Sequence, residues 1–192
     1  MKNLAPIILF AYNRPFHTQE TLRYLSQNIL AEESTLIVYC DGAKQDASEE
    51  NKQKIKQVRE LVKAQNWPKE IQVIESEANR GLANSIINGV REVTEKYGKA
   101  IVLEDDIITS KYFLKYMNDA LNMYEDVEQV LSIGSCNFFA HEQNTPETFF
   151  IPIPDCWGWA TWKDRWQLFE KDGSKLLAQL QNKKLIDSFN VE

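Results

Sequence analysis

Four short, almost uninterrupted apolar runs, each followed by an amphipathic helical pattern, narrow the fold of this chain more than any other feature. They are Pro6 to Tyr12, Leu36 to Cys40, Ile71 to Ile74 and Ala100 to Leu103. Each has strand length and little polar alternation, the pattern of strands buried on both faces. After the first run, Leu22, Leu25 and Ile29 recur at helical spacing, with Glu20 expected in the first turn. A helix from about Ser48 to Asn66 carries Ile55, Val58, Leu61 and Val62 on one face, and another carries Leu82, Ile86, Val90 and Val93. Ser110 is expected to cap a helix that turns Phe113, Tyr116, Met117, Ala120, Leu121 and Tyr124 inward, and Gln129 to Ile133 reads as a fifth strand. Strands and helices in alternation imply an α/β fold, a mostly parallel sheet with right-handed crossovers and helices on both sides.

In such sheets ligands sit outside the carboxyl ends of the strands. Asn13-Arg14, Asp41-Gly42, Asn79-Arg80 and Glu104-Asp105-Asp106 all follow expected strands, so they are expected to share one edge. Three adjacent acids repel one another: at 4–5 Å and an effective dielectric of about 20, each like-charge pair costs on the order of 3–4 kcal/mol. A hard divalent cation such as Mn2+ or Mg2+, which takes carboxylate and phosphate oxygens, would reverse that sign.

The remaining composition bounds the function. A chain of 192 residues suits one α/β domain with a real core, and a formal charge of −6 with no basic cluster argues against nucleic acid as a partner. No apolar stretch has transmembrane length, so a cytoplasmic location is expected. Cys40, Cys136 and Cys156 lack metal-ligand spacing and read as reduced and mostly buried. Neither a Walker sequence nor a Gly-x-Gly-x-x-Gly is present.

Beyond the fifth strand the pattern changes. Residues 134–148 read as irregular, Phe149 to Ile151 as a short strand, and Gly173 to Glu192 as one or two helices. Four of the five tryptophans fall between Cys156 and Trp166, with Trp159, Trp162 and Trp166 at helical spacing, as a stripe that docks on the sheet. Trp157 is off that stripe, and because an indole at a site mouth can stack on a sugar or base, Trp157 or Trp159 is expected to touch a ligand.

Five blocks in order carry a family resemblance: Pro6 to Pro15, Tyr39-Cys40-Asp41-Gly42, Asn79 to Ser85, Val102 to Asp106, and Trp157-Gly158-Trp159-Ala160-Thr161-Trp162. Together they resemble a bacterial glycosyltransferase of the GT-A fold, family 2-like, with an acidic motif similar to that of the N-acetylglucosaminyltransferase I type. The resemblance implies a Rossmann-like nucleotide-sugar-binding region over residues 1–135 and the beginning of an acceptor-side region over 136–192, in a natural protein expected to be longer. It implies transfer of a sugar from a nucleotide diphosphate donor, UDP-linked, to a hydroxyl of a glycan or lipid-linked acceptor, with peripheral association at a membrane left open. Asn13, Arg14, Asp41, Asn79 and Arg80 would border the nucleotide. Glu104 and Asp105 would contact donor sugar or ribose, Trp157 would contact the ligand, and Asp106 would hold Mn2+ or Mg2+. An inverting reaction needs a carboxylate base. Asp155 and Asp164 are the candidates at hand, although neither sits in a clear base motif. Two other readings remain at this stage: a sugar-phosphate nucleotidyltransferase, and a non-catalytic domain that binds sugar nucleotides.

Overall fold

A computed structural model describes residues 4–136 and 146–189. Four parallel strands form the centre: β1 (Ile7–Ala11), β2 (Thr35–Cys40), β3 (Glu70–Glu75) and β4 (Lys99–Glu104). Their crossovers are α1 (Pro15–Ser26), α2 (Glu49–Lys63) and α3 (Leu82–Tyr97). After α4 (Phe113–Met123) come the two-residue β5 (Ile133–Gly134), β6 (Trp159–Trp162) and the short α5 (Lys163–Trp166). Two peripheral helices follow, α6 (Gly173–Asn182) and α7 (Ile186–Phe189). The sheet order is β3-β2-β1-β4-β6-β5, with β6 antiparallel to both of its neighbours. The expected mostly parallel sheet with helices on both sides is therefore what the chain adopts.

Strand alternation sorts the core into two layers. Ile7, Leu9, Leu36, Val38, Ile101 and Leu103 pack with Leu22 and Leu25 of α1, Val58 and Val62 of α2, and Met117 and Leu121 of α4. On the opposite face Ile8, Phe10, Ile37, Ala100 and Val102 meet Val90 and Val93 of α3. Both faces of β1, β2 and β4 being covered is the reason those strands read as continuous apolar runs, while the edge strand β3 is only partly buried. Among the described residues, no helix is long and apolar enough to cross a membrane.

Several expectations fail locally. α1 stops at Ser26, which puts Glu20 in its middle and leaves Ile29 outside it and exposed. Asn28 ends the helix: its amide donates to the Tyr24 carbonyl and to Thr109 Oγ1, and its carbonyl oxygen accepts from the Leu114 N–H. Ser110 makes no side-chain cap, its carbonyl accepting from Phe113 N instead. Tyr116 faces outward, with its hydroxyl on the Gly134 carbonyl. The fifth parallel strand over Gln129–Ile133 is not formed; β5 is shorter, later and antiparallel to β6. Phe149 to Ile151 is exposed and not a strand. All three cysteines are free, yet only Cys40 is buried and Cys156 is exposed. The irregular segment expected over 134–148 lies in part outside the described residues.

The tryptophan stripe is the largest correction. Residues 159–162 are a strand, so residues three apart point to opposite faces. Trp162 joins the layer under α4 and donates Nε1–H to the Leu121 carbonyl at 3.1 Å. Trp159 joins the α3 layer and meets Trp166 of α5 with ring centroids 5.4 Å apart. The segment beyond residue 136 thus adds a strand to the central sheet.

Candidate functional site

The strand order reverses between β1 and β4: the chain passes outward from β1 to β2 and β3, then returns to the other flank. That switch point opens a crevice at the carboxyl ends, where open α/β sheets take their ligands. The β1–α1 turn and the acids after β4 face each other across it. Asp105 is buried, its side chain 4% exposed, and Arg14 Nη2 pairs with its Oδ1. Asp105 Oδ2 accepts from the Tyr12 N–H at 3.3 Å and from Thr18 Oγ1 at 3.4 Å. Arg14 Nη1 donates to Asp106 Oδ2 at 2.9 Å, so one guanidinium spans two carboxylates. Burial works against the Arg14 charge, but its hydrogen bonds and proximity to both acids outweigh that and hold its pKa above the ordinary arginine value.

The clustered-acid premise is thereby corrected. Among the described residues no three acidic, histidine or cysteine side chains converge on a common point. Glu104 shares strand parity with Val102, on the α3 side of the sheet, and Asp105 turns toward α1. Both oxygens of Asp105 and one of Asp106 have protein donors. As arranged, these residues do not fit a resident divalent ion: Asp106 offers one further oxygen, beside a permanent positive charge. Asp106 also borders an open groove of ≈ 290 Å3 with Phe16, His17, Glu20, Tyr24 and Ile108.

Glu104 is half-buried and makes no ion pair among the described residues. Burial first, then the charges of Asp106 and Asp105, push its carboxyl above the ordinary range. Between its ordinary and folded pKa the native state holds more protons than the unfolded chain, so this group erodes stability as pH rises through that window. Glu104→Gln is expected to raise Tm at pH 7 and to lose that gain as pH falls toward the ordinary glutamate range; thermal unfolding across pH checks it.

Asp41, 9% exposed after β2, is engaged in full by the protein. Its Oδ1 accepts from the N–H groups of Gly42 and Arg80, both at 2.9 Å, and its Oδ2 from Gly81 N–H at 3.1 Å and Asn79 Nδ2 at 3.0 Å. Four donors match a carboxylate's lone-pair capacity. Asp41 therefore shapes the Asn79–Gly81 turn that starts α3. Gly42 permits the approach, since a Cβ there would lie 2.6 Å from the Ala78 carbonyl carbon. Arg59 of α2 ties the same ends together, donating to the carbonyls of Ser76 at 2.7 Å and Asp41 at 3.4 Å. Asn13 reaches α2 through a 2.6 Å bond from Nδ2 to Asn51 Oδ1. Arg80 is exposed on this rim.

Because β6 runs antiparallel to β4, its start belongs to the same rim and its end to the other. Trp159 pairs with Val102, so Trp157, 55% exposed, lies near the level of Glu104. Gly158 turns the chain there at φ 83°. Asp155 holds this corner, with Oδ1 accepting from Trp157 N–H at 2.9 Å and Oδ2 from Cys136 N–H at 3.1 Å. Asp164 is brought to the wrong edge. Lys163 N bonds the Gly98 carbonyl before β4 begins, roughly 20 Å from the acids by strand rise. There Asp164 pairs with Arg165, which holds its carboxyl below the usual range. It cannot serve as a base for a ligand at the switch point.

Thr18, Tyr12 N–H, Asn51 and Arg59 were not legible as site residues. Their roles depend on partners 17 to 93 residues away in sequence. The only local hint was Thr18 one helical turn after Arg14.

No family model matches the sequence, and no curated protein matches it significantly. Among solved structures the chain is similar to S. aureus TarS in complex with UDP, at 15% identity and a TM-score of 0.41 over 68% of this chain and 34% of that one. It is similar to the galactosyltransferase LgtC in complex with donor and acceptor sugar analogues, at 13% identity and a TM-score of 0.49 over 92% of this chain and 65% of that one. It is also similar to the glycosyltransferase GlyE of Streptococcus pneumoniae, at 14% identity and a TM-score of 0.44 over 99% of this chain and 41% of that one. The chain spans a fifth to a third of the length of the TarS structures it matches.

Proposed function

We propose that this chain is the donor-binding part of a GT-A-type glycosyltransferase, which takes a nucleotide diphosphate sugar, UDP-linked, and passes the sugar to a hydroxyl of a glycan or lipid-linked acceptor. Support comes from one geometrical fact: three turns that carry the sequence resemblance, at Arg14, at Asp105-Asp106 and at Trp157, line a single rim at the β1/β4 switch point. The Asn79–Gly81 turn, braced by Asp41, adds the exposed Arg80 and the start of α3, whose positive end favours an anion.

In this reading Asn13, Asn79 and Arg80 border the nucleotide, and Asp41 acts through the turn it holds. Glu104 faces ribose or donor sugar, the buried Asp105 acts by holding Arg14 in place, and Trp157 stacks on a ring. Negative charge grows on the diphosphate as the glycosidic bond breaks, and a positive group fixed nearby lowers that barrier. The resemblance supplies this charge from Mn2+ or Mg2+ on Asp106; the residues as arranged supply it from Arg14. Asp155 lies on the correct rim, but its two oxygens are spent on backbone N–H groups, so no base is assigned among the described residues.

The test is a thermal-shift titration with UDP and UDP-sugars, with and without Mn2+, followed by turnover assays. A ligand at about 100 times its Kd stabilises the fold by about 2.7 kcal/mol, or roughly 5–10 °C in a chain of this size. Donor hydrolysis or sugar transfer supports the enzyme, and binding without turnover supports a non-catalytic module. Pyrophosphate release would instead indicate a nucleotidyltransferase. The absence of a shift with every nucleotide and nucleotide sugar in both metal conditions overturns the donor site.

A further inference from the structure

Both ends of the bridge across the switch point are tied to Thr18 of α1. Arg14 immediately precedes α1, and its carbonyl accepts from both the N–H and the Oγ1 of Thr18, each at 2.9 Å. Asp105 is buried between the Tyr12 N–H and Thr18 Oγ1. With those anchors the guanidinium contacts Asp105 and Asp106 at once, its planar fork presenting one nitrogen to each. A divalent ion bound through Asp106 would stand within a few ångströms of a charge that does not titrate away. It would also have to draw its oxygens from a carboxylate already engaged by that charge.

We infer that Arg14 is the resident cation of the Asp105–Asp106 pair and that it keeps divalent metal off Asp106, so that guanidinium and metal ion compete for one carboxylate. The inference rests on the donor-site reading only in taking a divalent ion as the expected ligand of Asp106. Arg14 thereby becomes the residue that sets how strongly the site depends on added metal.

The experiment is a Mn2+ titration of the nucleotide-free protein, read by the free-Mn2+ electron paramagnetic resonance signal and by calorimetry. Wild type is expected to bind weakly. Arg14→Gln removes the positive charge while keeping a hydrogen-bonding side chain, and is expected to bind Mn2+ on the order of tenfold or more tightly. Arg14→Lys, which keeps the charge but cannot span both acids, is expected to fall between them. Adding Asp106→Asn to Arg14→Gln is expected to abolish the gain, which locates the ion. Circular dichroism on each variant reports folding, and the lysine variant supplies the ordering should the glutamine variant unfold. Equal or tighter binding by wild type overturns the inference, as does a gain that survives Asp106→Asn. No nucleotide enters this measurement. A failure of UDP to bind wild type would therefore sink the donor reading and leave the competition standing, and the converse outcome is equally distinct.

Discussion

Asp41→Ala is expected to destabilise the protein by about 2–4 kcal/mol and to abolish measurable nucleotide binding. The carboxylate receives three backbone N–H groups and one side-chain amide, all within 3.1 Å, from two turns 38 to 40 residues apart. Stranding a buried donor costs on the order of 1–3 kcal/mol, and hydrogen bonds to a charged acceptor are the strong ones. Not all of that cost is realised, because Arg80 and Gly81 lie near the surface and water can replace part of the loss. Asp41→Asn separates shape from charge. An amide presents an N–H2 group to two of the four donors, so the isosteric variant is also expected to fall well below wild type. A Tm drop of about 4–16 °C follows for the alanine variant at 2–4 °C per kcal/mol. A shift under about 2 °C with UDP binding intact would show that the Asn79–Gly81 turn holds without its brace.

What could be read from the chain divides by the distance over which each contact acts. β1, β2 and β4 were legible because burial on both faces writes an apolar run into local sequence, as in Ile7 to Ala11 and Ala100 to Leu103, whereas β3, at the sheet edge, is only partly buried. The shared rim was legible because a parallel topology sends the carboxyl ends of β1 to β4 the same way. The tryptophan segment was not legible. Trp159 and Trp162 satisfy a helical spacing of three while lying on opposite faces of a strand, and the pairing partner that decides between them is β4, some sixty residues earlier. The electrostatics of the acids failed for the same reason. Three adjacent carboxylates in sequence look uncompensated, yet two of them, Asp105 and Asp106, share the counter-charge of Arg14, more than ninety residues away. Asp41 lies at the end of β2, where the parallel pattern puts it, but its hydrogen-bonding capacity is spent on donors that only the folded chain brings to it.

Trp162→Ala is expected to cost about 3–5 kcal/mol, the range for deleting a buried aromatic side chain. Trp162 is 3% exposed, packs in the layer under α4, donates to the Leu121 carbonyl and lies 4.8 Å beneath the Arg165 guanidinium. Loss of the indole opens a cavity and strands that carbonyl together. Trp162→Phe keeps most of the volume and is expected to cost about 1–2 kcal/mol, the hydrogen bond and part of the packing. Trp157→Ala, at the exposed corner before β6, is expected to cost less stability than Trp162→Ala while weakening donor binding. Urea denaturation with a double-mutant cycle decides between strand and helical stripe. In the strand, Trp159 couples to Trp166 across 5.4 Å and not to Trp162, which lies in the opposite layer. A helix would put all three indoles on one face. Coupling between Trp159 and Trp162 as large as that between Trp159 and Trp166 would therefore refute β6, and with it the position of Trp157 on the rim.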